Sequence, residues 1–297
     1  LDELLEDADT TAFIVLHRDR VLSEEYFNGS RPEAVQTSFS VAKSFVATLV
    51  GIAIAEGALS GLDDPLADHV PELLDRDERF GEITIRHLVT MSSGLSFEDG
   101  SSPWADPANT HHGTDLRTAA VTTPDVIGPP GVTFDDNDWN VILLGMVLER
   151  VTGMSVGEYT AGHLWVPMGA EADGSWSLDS EEHGFEKSFV ALNGRAIDVA
   201  KLGWLYLNEG RNGGRQVVPA AFVAEATDRD VATDPAAEYR YLWWVDVERD
   251  SYYANGDHGQ FIYVDPGAEL VFVRHGTGPG DVAWIDFFGE LSDWLAP

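Results

Sequence analysis

A serine and a lysine stand three residues apart at the head of an apolar segment, in the sequence Ser40-Val-Ala-Lys43. Residues three apart on a helix share one face, so the hydroxyl and the amine can meet. A serine hydroxyl is a poor nucleophile until a base takes its proton. Burial and the positive end of a helix both disfavour an ammonium group, which makes Lys43 a candidate base. The pair therefore predicts nucleophilic catalysis by Ser40, with backbone N–H groups at the helix start available to hold an oxyanion.

The element that must position this pair is a buried helix. The segment from Phe45 to Ala55 is apolar throughout and stops at Glu56-Gly57, a pattern typical of a helix buried on all sides. Ser38 or Ser40 can cap its N-terminus. A lysine at the start of such a helix must be paired or functional, which disfavours the alternative of an exposed lysine on an ordinary helix.

The rest of the chain predicts an α+β fold, an α/β sandwich whose antiparallel sheet is built from both termini with helices on its faces. We expect residues 1–57 and 216–297 to form the sheet domain, residues 58–215 to form an inserted, mainly helical region, and the active site to lie between them. The predicted strands are 12–17, 20–27, 241–245, 259–264 and 270–273, and the predicted helices are 83–91, 140–152, 196–209 and a C-terminal segment from Trp284 to Leu295.

Composition excludes several functional classes. The 297 residues hold 51 Asp and Glu against 18 Lys and Arg, for a formal net charge of -33, which makes nucleic-acid binding very unfavourable and disfavours anionic membranes. The absence of cysteine excludes disulfides and thiolate chemistry. Such an acid-rich, lysine-poor chain with a normal apolar content predicts a folded protein adapted to molar salt, where self-repulsion is screened. We expect a cytoplasmic protein, although export with removal of a leader stays open.

The sequence also resembles a known family over roughly residues 36–275. It is similar to the serine β-lactamase-related hydrolases, which include class C β-lactamases, D-alanyl-D-alanine carboxypeptidases, family VIII esterases and 6-aminohexanoate-dimer hydrolases. The resemblance implies a β-lactamase/transpeptidase-like fold, an acyl-enzyme on Ser40, and no metal or other cofactor. Besides Ser40-Val-Ala-Lys43, it rests on Leu62-Asp-Asp-Pro65, Ile85-Arg-His-Leu-Val-Thr-Met-Ser-Ser-Gly-Leu95, Pro130-Gly131, Leu144-Gly-Met-Val-Leu-Glu-Arg-Val-Thr-Gly153, Ala200-Lys-Leu-Gly203, Tyr241-Leu-Trp-Trp244 and Gly256-Asp-His-Gly-Gln260.

The second motif of this family, Y-x-N or Y-x-D, is altered here. In the matching stretch, Asp136 takes the place of the tyrosine and Asp138 that of the Asn or Asp. A carboxylate beside Lys43 would hold the lysine as ammonium and weaken it as a base. Either Asp136 becomes the base with Lys43 orienting it, or catalysis is reduced. The alternative is structural, with Asp136 or Asp138 capping the helix that follows.

The third motif of the family, K-T-G or H-x-G on a sheet-edge strand, aligns with Asp257-His258-Gly259. We expect Gly259 to let substrate approach the strand closely, His258 to supply polarity, and the resemblance makes the backbone N–H of Gln260 the second oxyanion donor. Asp257 stands where a cation is usual, which argues against substrates that carry a carboxylate, such as β-lactams.

These observations together predict a serine hydrolase for a small-molecule ester or amide, with a β-lactamase or peptidase and a non-catalytic binding protein as alternatives. Two other patterns fail. The stretch from Asp136 to Asn140 begins like a calcium loop, but Val141 replaces the required glycine. The adjacent pair His111-His112 lacks the spacing of a zinc site.

Overall fold

A computed structural model of the chain describes residues 1–100, 102, 105–228, 235–236 and 238–296. Its helices are α1 Asp2–Asp7, α2 Val41–Ala55, α3 Leu66–His69, α4 Ile85–Val89, α5 Asp106–His112, α6 Leu116–Thr122, α7 Asp138–Thr152, α8 Val156–Thr160, α9 Ala196–Leu207, α10 Ala220–Ala226 and α11 Trp284–Leu295. Its strands are β1 Thr10–His17, β2 Arg20–Tyr26, β3 Val35–Thr37, β4 Ser175–Trp176, β5 Leu192–Arg195, β6 Arg211–Asn212, β7 Arg215–Gln216, β8 Tyr239–Arg240, β9 Trp243–Asp246, β10 Ser251–Gly256, β11 Gln260–Asp265 and β12 Leu270–Gly276.

The main sheet joins the two ends of the chain, as the sequence predicted. Its strand order in the described residues is β2-β1-β12-β11-β10-β9-β8, and each neighbouring pair whose register is resolved runs antiparallel. The N-terminal hairpin β1–β2 turns at Arg18, whose φ of 56° lies in the left-handed region. Strand β12 pairs with β1, so the last strand of the chain lies beside the first.

The sheet is covered on both faces, because successive side chains of a strand point to opposite sides. On β1, Ile14 and Leu16 enter the core that contains α2, α7 and α9. Phe13 and Val15 point the other way and pack with Trp284 and Phe288 of α11. The result is a layer of helices on each face of the sheet, and this confirms the predicted α+β sandwich.

The helix α2 is buried along nearly its whole length. Its residues from Val41 to Ala53 are all buried, and this includes Lys43 near the start. The helix ends at Glu56, beyond which Gly57 adopts a φ of 76°. The continuous apolar run therefore predicted both the helix and its central place in the fold.

Two parts of the predicted organisation are wrong. Helix α9 was expected in the inserted helical region, but it packs on the main sheet, where a Cβ at Gly203 would come within 2.6 Å of Ile262 and 2.7 Å of Val271. The division at residue 215 therefore cuts the sheet layer. The strand Ser251–Gly256 was not predicted, and it carries a residue of the candidate site.

By length and composition, no single helix among the described residues could cross a bilayer. One pair of helical segments, Asp138–Thr152 and Val156–Trp165, is long and apolar enough when the two are taken together, but they are bent by 75° at their junction.

Candidate active site

The serine of the motif sits at a strained start of α2. Ser40 is the residue that precedes the helix, with φ of -64° and ψ of -8°. Phe39 before it has a φ of 49°, which is unusual for a bulky side chain and stores local backbone strain. The hydroxyl of Ser40 has no hydrogen-bond partner within the described residues, and the residue is half-buried. A reactive oxygen at this position is accessible and not committed to another contact.

The lysine of the motif is buried and held by two carboxylates. Its side chain is 7% exposed, and its Nζ atom lies 2.7 Å from Oδ1 of Asp136 and 3.1 Å from Oδ1 of Asp138. Burial works against the ammonium form, but the charges of Asp138 and Asp136 outweigh it and raise the pKa of Lys43 above its ordinary value. Burial alone was expected to make Lys43 a neutral base, and this expectation is wrong. A carboxylate beside Lys43 was expected to hold the lysine as ammonium, and the raised pKa agrees with that.

The two aspartates reach Lys43 from either side of the start of α7. Asp136 lies in the loop before the helix, and Asp138 is the first residue of the helix. The side chain of Asn137 caps this helix by accepting a hydrogen bond from the backbone N–H of Trp139 at 3.0 Å. Neither Asp136 nor Asp138 is the cap, so the structural interpretation of these two residues is wrong. Placing Asn137 in the cap turns the residues on either side of it toward the lysine.

The two carboxylates differ in their surroundings. The side chain of Asp136 is 47% exposed, whereas that of Asp138 is 12% exposed. Behind Asp138 lies α5, from which Thr110 donates a hydrogen bond to Oδ2 at 3.3 Å and His111 approaches the same atom at 3.8 Å. Asp136 is therefore open to solvent and to a ligand, while Asp138 forms the buried wall of the lysine site.

The glycine that approaches Ser40 is Gly256, at the end of β10. A Cβ at this position would lie 2.8 Å from both the Ser40 nitrogen and the Ser38 carbonyl oxygen, so only glycine allows this contact. Asp257 follows directly. Within the described residues, neither its backbone N–H nor that of Ser40 has a hydrogen-bond acceptor. Two unpaired N–H groups at one junction are suited to hold a developing oxyanion.

The residues predicted for this role, Gly259 and Gln260, follow Asp257 in the same segment. Residues Asp257–Gly259 form a single 3₁₀ turn that joins β10 to β11. Both of these strands have neighbours on each side, so neither is an edge strand of the sheet. The Cβ that Gly259 lacks would meet Arg274 and Pro279, so its glycine makes room for protein and not for substrate. The side-chain amide of Gln260 is buried and donates to the Gly276 carbonyl at 2.7 Å. The role predicted for the backbone N–H of Gln260 stays a prediction.

His258 lies between the turn and the start of α2. Its ring packs 4.9 Å from that of Phe39, and its Nδ1 atom lies 3.0 Å from the Thr277 carbonyl oxygen. Its polar contact is thus to backbone, which fits a structural hydrogen bond beside Phe39, the residue before Ser40.

One aromatic group near the lysine site was not predicted from the sequence. Tyr239 is 3% exposed, and its ring lies 5.0 Å from that of Phe134 and 4.8 Å from that of Trp244. Burial raises the pKa of Tyr239 well above its usual value, and the charges of Asp136 and Asp138 raise it further. Position 136 carries no tyrosine, but a neutral tyrosine from β8, Tyr239, lies near Asp136 and Asp138.

Comparison with known proteins shows the family to which the chain belongs. A model of the family described as Beta-lactamase matches residues 1–283. The chain is 29% identical to the 6-aminohexanoate-dimer hydrolase of Paenarthrobacter ureafaciens, over 94% of this chain and 75% of that protein.

Two solved structures show the fold. A putative 6-aminohexanoate-dimer hydrolase from Bacillus anthracis superposes with a TM-score of 0.85 at 24% identity, covering 99% of this chain and 82% of that one. EstCE1, a hydrolase with promiscuous acyltransferase activity, gives 0.77 at 16% identity and covers 100% of this chain and 96% of that one. The family model spans nearly the whole chain, and the protein therefore belongs to the Beta-lactamase family.

Proposed function

We propose that the protein is a serine hydrolase that cleaves an ester or amide bond through an acyl-enzyme on Ser40. The observation that carries the proposal is the contact of Lys43 with Asp136 and Asp138 at 2.7 Å and 3.1 Å, one helical turn from an unbonded serine hydroxyl. A buried cation fixed by two carboxylates beside a nucleophile is an arrangement that can move a proton.

The proton steps follow from the charges. The Ser40 oxygen attacks the carbonyl carbon while its proton passes to the Lys43–Asp136 pair, and the N–H groups of Ser40 and Asp257 hold the oxyanion. Expulsion of the alcohol or amine returns the proton to the leaving group. Water then attacks the acyl carbon by the same route, and the Ser40 oxygen regains its proton. Because Lys43 is held as ammonium, Asp136 is the base and Lys43 orients it.

The substrate class follows from the charge around Ser40. Asp136 and Asp138 both contact the one ammonium group of Lys43, and Asp257 follows the glycine that touches Ser40, so the site favours a neutral or amine-bearing substrate over an anionic one. The similarity to a 6-aminohexanoate-dimer hydrolase supports the same choice. We expect turnover of short-chain 4-nitrophenyl esters and of a linear 6-aminohexanoate dimer, with little or no hydrolysis of nitrocefin. Fast nitrocefin hydrolysis would favour the β-lactamase alternative, and inactivity on all three would favour a binding protein.

The assignment of Asp136 as base has its own test. Asp136→Asn removes the accepting carboxylate, and we expect kcat to fall by roughly 10²-fold or more with KM little changed, since general-base catalysis contributes about that much. Asp136→Tyr restores the residue type of the family motif and should shift the pH profile of kcat. The matched control is Asp135→Asn, which removes the same charge from an exposed neighbour. Equal rates for Asp136→Asn and the control would refute the assignment.

We also propose that the protein is adapted to high salt. The chain has 51 acidic against 18 basic residues, so most surface carboxylates have no cation partner and repel one another. At about 1 M salt the Debye length falls to roughly 3 Å, which removes this repulsion. We expect the free energy of unfolding to rise between about 0.05 M and about 2 M KCl. This rise should be larger than the rise produced by sucrose of equal osmolality. A flat or falling dependence on KCl would contradict the proposal.

A further inference from the structure

Arg274 of β12 is a fully buried arginine whose donors are all used. Its side chain is 0% exposed, and its guanidinium group lies 4.1 Å over the ring of Trp284. Each of its five N–H groups has an oxygen within reach, and these oxygens belong to Thr10, Ala8, His258, Gly259 and Gly278. Four of the five acceptors are backbone carbonyls.

This cation lacks the partner that a buried arginine usually has. Within the described part of the chain, no carboxylate forms an ion pair with Arg274, although the protein holds 51 acidic residues. Burial lowers the pKa of Arg274 to about 10, and the more distant charge of Asp9 opposes this only in part. A buried charge without a counter-ion is costly and calls for a specific use.

Two glycines leave room for the guanidinium group. A Cβ at Gly259 would lie 2.2 Å from Nη1 of Arg274, and one at Gly276 would lie 2.5 Å from the same atom. The turn that contains Gly259 is itself strained, since His258 and Gly259 have φ of 61° and 73°. Hydrogen bonds from Nη1 to the carbonyls of these two residues, at 3.2 Å and 2.5 Å, hold that conformation.

The same turn begins directly after the glycine that touches the backbone of Ser40. Its first residue, Asp257, follows Gly256, which touches the Ser40 backbone, and its N–H has no partner in the described residues. We propose that Arg274 is a positioning residue that fixes the turn Asp257–Gly259 and places a buried positive charge behind the oxyanion site of Ser40. This inference rests on the proposed function.

The test measures how fast Ser40 is acylated. Wild type, Arg274→Met, Arg274→Lys and Thr10→Val react with a fluorophosphonate and, separately, with a 4-nitrophenyl ester, and intact mass follows the adduct. Thr10→Val is the matched control, because it removes one acceptor of the guanidinium group far from the turn. Thermal unfolding of every variant measures the structural damage.

We expect Arg274→Met to lower both the acylation rate and kcat by roughly 10- to 100-fold with KM within about twofold, because a misplaced donor should cost less than the roughly 10²- to 10³-fold loss that follows removal of a donor. Arg274→Lys keeps the positive charge but not the five donors of the guanidinium group, so its acylation rate should lie between those of Arg274→Met and the wild type. Thr10→Val should unfold at a lower temperature and acylate at the wild-type rate.

If Arg274→Met does not fold, Arg274→Ala with added guanidinium takes its place, and we expect guanidinium but not urea to restore acylation. Wild-type rates in a folded Arg274→Met, equal rate losses in Thr10→Val, or rescue by urea as well would each overturn the inference. A wild-type protein that never acylates on Ser40 would instead refute the proposed function itself, so the two failures are distinguishable.

Discussion

Replacement of Ser40 by alanine is expected to reduce kcat on a 4-nitrophenyl ester by about 10⁴-fold or more, because the covalent route through the acyl-enzyme disappears. The residual rate would come from binding and the oxyanion donors alone. The free energy of unfolding should change little, since the Ser40 hydroxyl has no hydrogen bond to lose within the described residues. The measurement is steady-state hydrolysis together with urea unfolding of both proteins.

Ser44→Ala is the matched control for this prediction. Ser44 lies one turn further along α2, is buried, and donates a hydrogen bond to the Leu242 carbonyl at 2.6 Å. Its loss should destabilise the fold by about 1–3 kcal/mol, the cost of leaving a buried acceptor unsatisfied, while kcat stays near wild type. A Ser40→Ala protein with more than about a tenth of wild-type kcat would contradict nucleophilic catalysis by this residue.

Replacement of Lys43 by methionine is expected to affect both activity and folding. The change leaves the carboxylates of Asp136 and Asp138 facing each other with no cation between them, and Asp138 is buried. Removing one member of a buried ion pair costs about 3–5 kcal/mol. We expect kcat to fall by roughly 10³-fold or more, since the group that orients the base is lost.

The pH dependence of this variant separates charge from packing. In the wild-type protein the raised pKa of Lys43 stabilises the fold at every pH below the ordinary lysine value of 10.5, and this contribution is lost only as the pH rises through the folded-state pKa. In Lys43→Met two carboxylates face each other without a cation, and they repel only while both are charged, so the destabilisation should shrink as the pH falls from about 7 to about 4. A destabilisation that is the same at both pH values would show that the loss is one of packing alone.

The place of Ser40 and Lys43 at the start of a buried helix could be predicted because their spacing is local. A helix fixes residues three apart on one face, and the apolar run after them required a buried helix. The expectation that Asp136 lies beside Lys43 came from a short alignment, and in the structure the two side chains are 2.7 Å apart. What could not be read from the sequence was that Asn137 supplies the cap and thereby leaves both flanking aspartates free to meet the lysine.

One strand beside the oxyanion segment was not predicted. Ser251–Gly256 contains two tyrosines but ends in Asn-Gly, a pair more typical of a turn than of a strand. The contact of Gly256 with Ser40 joins residues more than two hundred positions apart, and only the assembled sheet brings them together. Burial of Arg274 without a carboxylate likewise depends on three chain segments meeting behind β12.

The sheet itself was predictable, whereas the boundary of the helical region was not. The short apolar runs 12–16 and 270–273 predicted strands β1 and β12. The local sequence of helix α9 does not indicate which layer of the fold the helix packs on. Its place on the sheet is decided by Gly203, which lets the helix approach Ile262 and Val271.

Mass spectrometry of the protein after reaction with a fluorophosphonate tests the central claim most directly. We predict one adduct per chain, on the peptide that contains Ser40, absent from Ser40→Ala and present in Ser44→Ala. A wild-type protein that hydrolyses an ester without ever carrying an adduct on Ser40, or that carries it on another residue, would contradict the account.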